Sequence, residues 1–155
     1  MFGLPADATW LWLGLVIGTA AMFGVVTGLP AAPPEATQVA ATVDEVAASD
    51  HPSAASVEIR ADAITIGPNR LGVRGPGGTA WEPLRYGPVT PVREGSRLAA
   101  VLHGAPPASE FAMPASFEYS IGNARNRDPT WRPVNGSIQV RRVRYGEVNS
   151  VLVGT

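Results

Sequence analysis

The sequence predicts an α+β protein: an N-terminal transmembrane helix, a short amphipathic helix, then a small, mainly antiparallel β domain with one short helix. Three observations predict it. Residues 10–29 hold no charged side chain, and nothing in them is more polar than Thr19 and Thr27. From residue 35 to 49 the valines recur at a helical spacing. From Ser56 onward the apolar period shortens to two, with turns drawn from the chain's 17 glycines and 15 prolines.

Trp10 to Leu29 comes first in the argument. At about 1.5 Å of rise per residue, twenty helical residues reach roughly the 30 Å of a bilayer's hydrocarbon core. The tail before it, residues 1–9, carries only Asp7 as a charged side chain. A cleavable secretory signal opens on Lys or Arg and has a shorter apolar core, so an uncleaved anchor is expected. Gly14, Gly18, Ala21 and Gly28 fall near one face of such a helix, where small residues let backbones approach in lipid. Trp10 and Trp12 mark its N-terminal end, where amphipathic rings favour the headgroup region.

Residues 30–54 are read as a Pro-rich break followed by the amphipathic helix. Pro30, Pro33 and Pro34 cannot continue a hydrogen-bond ladder, but proline fits a helix's first turn and Glu35 suits its positive end. Val39, Val43, Val46 and Ala47 then share one stripe, with Gln38, Asp44 and Glu45 off it. His51-Pro52 ends the run. A bilayer-surface helix would want basic residues on its polar face; this one is acidic, so its valines are expected to pack on the domain that follows.

Residues 55–155 are read as a β-rich soluble domain. Val57 and Ile59, Ile64 and Ile66, and Leu71 and Val73 alternate with polar or small residues, and Gly67-Pro68-Asn69 reads as a hairpin turn. Further strands are expected around Ala80 to Tyr86 and Arg97 to Leu102. The proline-spaced Gly87 to Val92 can only be edge or extended structure. Phe117, Ile121 and Ala124 give one short helical stripe after Pro114. The chain closes on a hairpin, with Ile138 to Val143 and Val148 to Val153 about Tyr145-Gly146-Glu147.

The charge is uneven. Five acids and no arginine or lysine precede Ser56, whereas twelve arginines face eight acids after it. That excess is too small and too dispersed for a nucleic-acid partner, which wants a clustered basic face. Cysteine is absent, which removes disulfides, thiolate metal sites and cysteine nucleophiles. His51 and His103 have no acidic or histidine neighbour at a ligand spacing, so no metal is expected. Gly75-Pro-Gly-Gly78 lacks the Lys-Ser/Thr of a phosphate loop, and no serine sits in a nucleophile elbow. No catalytic residue, cofactor or metal site is therefore assigned. Arg141, Arg142 and Arg144 form the one dense basic cluster and are a candidate partner surface. Trp81 and Trp131 are expected as core or rim residues of the sheet.

Several segments resemble an uncharacterised family of haloarchaeal single-pass membrane proteins associated with type IV pilus-like and secretion systems. They are Trp-Leu-Trp-Leu-Gly-Leu from Trp10, Gly-Leu-Pro-Ala-Ala-Pro-Pro from Gly28, and Thr-Val-Asp-Glu-Val-Ala-Ala-Ser from Thr42. Tyr-Gly-Pro-Val-Thr-Pro-Val from Tyr86, Leu-His-Gly-Ala-Pro-Pro from Leu102 and Thr-Trp-Arg-Pro from Thr130 are the others. The order of apolar helix, amphipathic helix and β domain is also similar to pilins. The resemblance implies a non-enzymatic, pilin-like accessory component at the cell membrane, with its C-terminal domain extracytoplasmic. Its partners would be the lipid bilayer and other membrane or pilus-like subunits, met through the Gly14, Gly18, Ala21 and Gly28 face. The alternative is a membrane-tethered module that binds an extracytoplasmic ligand or envelope polymer.

Overall fold

The computed structural model describes residues 35–134 and 136–155. The first element is α1, Glu35–Ala48, whose Ala36, Val39, Ala40, Val43, Val46 and Ala47 are buried. Two four-stranded sheets follow. The first has the order β1 (Ala54–Glu58), β7 (Ser137–Tyr145), β8 (Val148–Gly154) and β5 (Thr90–Pro91). The second has the order β4 (Gly78–Pro83), β3 (Arg70–Gly75), β2 (Ala63–Ile66) and β6 (Arg132–Pro133). Three helices, α2 (Arg97–Leu102), α3 (Pro107–Glu110) and α4 (Pro114–Arg125), lie between β5 and β6 in sequence.

Strand alternation sorts the two faces of the first sheet. Ile138, Val140, Val151 and Val153 join α1 and the inward residues Ile64, Leu71 and Val73 of the second sheet in one core. On the opposite face, Val143 and Leu152 meet Leu98, Val101, Phe111, Phe117 and Ile121 of the later helical region in another. The first sheet is thus buried on both sides, which is why β8 reads Val-Leu-Val without polar interruption.

The fold class needs correction. The α+β domain has two sheets where one small β domain was expected, and among the described residues three helices follow α1 where one was expected. Among the described residues no helix is long and apolar enough to cross a membrane. Residues 10–29, with Trp10, Trp12 and the Gly14, Gly18, Ala21 and Gly28 stripe, lie outside the described residues.

Arg97–Leu102 is a helix, not a strand. The Ser96 side chain accepts from the Ala99 N–H at 3.2 Å, capping the first turn, and Leu98, Val101 and Leu102 then share a buried face. The strand expected to run to Tyr86 stops at Pro83. Beyond it the Asp44 carboxylate of α1 accepts the backbone N–H groups of Arg85 (2.9 Å) and Tyr86 (3.2 Å). Thr90–Pro91 is an edge strand, as its prolines require, and pairs parallel to β8.

Candidate partner-binding surface

The hairpins β2–β3 and β3–β4 place Thr65, Gly72 and Trp81 in one row across the second sheet. Leu71 and Val73 point into the core, so Arg70, Gly72 and Arg74 share the outer face with that row. Trp131 enters from the segment before β6, which pairs with β2 through Ile64 and Arg132. Its ring lies over Gly72. A Cβ at Gly72 would meet Thr65 Cγ2 at 2.9 Å and both Trp131 Cη2 and Trp81 Cε3 at 3.0 Å. Glycine is the residue that lets both indoles close over the strand.

The two rings meet edge to face, 5.5 Å between centroids at 70°. Arg70 lies 4.7 Å from the Trp81 ring centroid and Arg74 lies 4.2 Å from that of Trp131. The order along the face is therefore Arg70, Trp81, Trp131, Arg74. Each exposed cation–π contact is worth about 0.5–1 kcal/mol and the indole pair about 0.5–1.5 kcal/mol. These contacts hold four long side chains in place while Trp81 stays 48% exposed. A guanidinium stacked by its face keeps its N–H edge for carboxylates or other acceptors. Preordered Trp and Arg are the side chains that most often dominate binding energy at protein interfaces.

The predicted arginine cluster divides. Arg141 Nη1 donates to the carbonyls of Val101 and, at 3.1 Å, Ala105; Arg142 Nη1 donates to the carbonyl of Ala47. Both are committed inside the fold. Arg144 is exposed, and among the described residues its Nε donates to the Gly146 carbonyl of its own hairpin, at 3.4 Å.

Arg125, a basic residue on the short helix outside the hairpin cluster, turns inward. From the last turn of α4 its guanidinium donates to Thr90 Oγ1 (3.0 Å), the Pro88 carbonyl (2.9 Å) and Ser150 Oγ (3.1 Å). Burial lowers its pKa. It fastens α4 to β5 and β8. Among the described residues no group of three or more His, Asp or Glu is placed to hold a metal.

The Trp row was legible only in part. Period-two reading puts Arg70, Gly72 and Arg74 on one face of β3, but Trp131 reaches that face from 59 residues beyond Gly72.

A family model for residues 3–143 matches this chain, and its description is a family of unknown function, DUF7283. The chain belongs to that family. No curated protein and no solved structure matches it.

Proposed function

We propose that this DUF7283 member is a non-enzymatic assembly component that binds a protein partner through the outer face of its second sheet. The row Arg70, Trp81, Trp131, Arg74 carries the reading: it is a preordered set of the residue types that anchor interfaces, with Arg70, Trp81 and Arg74 exposed and Trp131 half-buried. A place at the cell membrane draws support from the apolar composition of residues 10–29, and a domain on its outer side from the resemblance noted above. The resemblance to haloarchaeal and pilin-like proteins supports assigning it as an accessory part of a type IV pilus-like or secretion assembly.

A cross-linked pull-down of the intact chain from its native membrane tests this, with Trp81→Ala beside the unmodified protein. We expect a consistent set of pilus-like or secretion subunits, recovered with the unmodified chain and depleted with Trp81→Ala. An identical set from both would remove the Trp face from the proposal. A lone soluble ligand would overturn the assembly role in favour of a tethered binding module.

A further inference from the structure

Three arginines from separate segments converge beside the edge of the first sheet. Arg93 follows β5, Arg127 follows α4, and Arg132 belongs to β6 of the second sheet. They line a hollow of about 30 Å³ backed by Ile64 and Ile66. Arg93 and Arg127 also line an adjoining hollow of about 160 Å³, to which Arg97, Ser96, Ser120 and Asn123 contribute. The smaller space is on the scale of one or two waters; the larger has room for a polyatomic group.

Arg93 and Arg127 border both hollows, Arg132 only the smaller and Arg97 only the larger; Asp128 and the terminal Thr155 also line the smaller one, and Glu94 acts on Arg132 as an opposing charge. Arg132 is half-buried and donates to the Val92 carbonyl at 3.3 Å, which orients its fork. Burial, then the neighbouring charge of Arg93, lowers its pKa; Glu94 opposes this and Arg127 adds to it.

We propose that a phosphate or sulfate group binds in the larger hollow against the wall it shares with the smaller one, held by Arg93 and Arg127, with Arg132 reaching it from the smaller side. An oxyanion at the boundary accepts from several planar guanidinium forks, a geometry that arginine matches better than a point charge does. It also offsets the repulsion among them. Ser96, Ser120 and Asn123 are neutral donors for whatever the group is attached to, in the larger space.

The test is calorimetric titration of the full chain at constant ionic strength with inorganic phosphate, sulfate and glycerol phosphate, against a chloride control. Arg132→Gln and Arg127→Gln are titrated beside it, each checked for native near-ultraviolet circular dichroism. Arg127 is exposed, so its variant remains informative if Arg132→Gln fails to fold. We expect one saturable site, weakened about tenfold or more by either substitution, as for loss of a charge-assisted hydrogen bond. Tighter binding of glycerol phosphate than of free phosphate would mark an ester as the ligand; the reverse order would mark the free anion. No saturation by any of the three, or equal affinity in a folded variant, overturns the proposal.

Discussion

Arg141 and Arg142 are neighbours in β7, yet each ends on the C-terminal carbonyls of a different helix, on opposite faces of the same sheet. Arg142 donates to Ala47 in the last turn of α1; Arg141 donates to Val101 in the last turn of α2 and to Ala105 just beyond it. Neither helix has a basic residue of its own in its last turn. A helix C-terminus presents unpaired carbonyls and a partial negative charge, and a guanidinium answers both. Strand alternation sends the adjacent side chains to opposite faces, so one dipeptide serves two helices.

This arrangement separates the three arginines by what their removal costs. Arg142→Gln is expected to destabilise the domain by about 1–2 kcal/mol, the worth of a charged hydrogen bond at a helix terminus. Arg144→Gln, on an exposed hairpin, should fall within about 0.5 kcal/mol of the unmodified protein. Urea unfolding midpoints at equal slope make the comparison. Equal losses from the two substitutions would mean that the Ala47 contact contributes nothing.

Arg125 gives a sharper chemical test. Its guanidinium spans three acceptors, and without it Thr90 and Ser150 still share their buried 2.8 Å hydrogen bond while the Pro88 carbonyl loses its donor. Arg125→Met should cost about 1.5–3 kcal/mol. Arg125→Lys should recover less than half of that, because one ammonium cannot reproduce the planar fork. Full recovery in Lys, read from denaturant unfolding, would reduce the role of Arg125 to its charge.

At Gly72 the prediction concerns geometry. A methyl group there has no room between Thr65, Trp81 and Trp131, all within 3.0 Å of an added Cβ. Gly72→Ala should destabilise by about 1–3 kcal/mol, the usual range for overpacking. It should also part the two indoles and change the near-ultraviolet circular dichroism of the folded protein. A variant with both signals unchanged would show that the rings do not close over the strand.

These residues also mark where sequence reading succeeds and stops. Period-two patterns locate β2, β3 and β7, and the stripe of Phe117, Ile121 and Ala124 locates α4, because each is a local consequence of one buried face; β8, buried on both, is found from its apolar run after the turn at Tyr145-Gly146-Glu147. Arg97–Leu102 misleads because five apolar residues in a row suit a buried strand as well as a buried helix; the Ser96 cap was the discriminating signal. The split into two sheets is set by pairing between distant segments, such as β1 with β7, which no local pattern encodes. The Arg93, Arg127 and Arg132 convergence is of the same kind.

The amphipathic helix and the β domain, separate segments in the sequence, share one core in the structure. Val39 and Val43 are fully buried, and α1 packs against β1, β3, β4, β7 and β8. Val43→Ala should cost about 2 kcal/mol, from two buried methyl groups and the space they leave. Removing the helix altogether strips the inner faces of both sheets, exposing Ile64, Leu71, Val73, Ile138 and Val140 to water. A fragment of residues 55–155 should therefore lack a cooperative unfolding transition and bind a hydrophobic dye, whereas residues 32–155 unfold in a single step. If the shorter fragment melts cooperatively near the midpoint of the longer one, α1 is an accessory to a self-sufficient β domain and not a wall of its core.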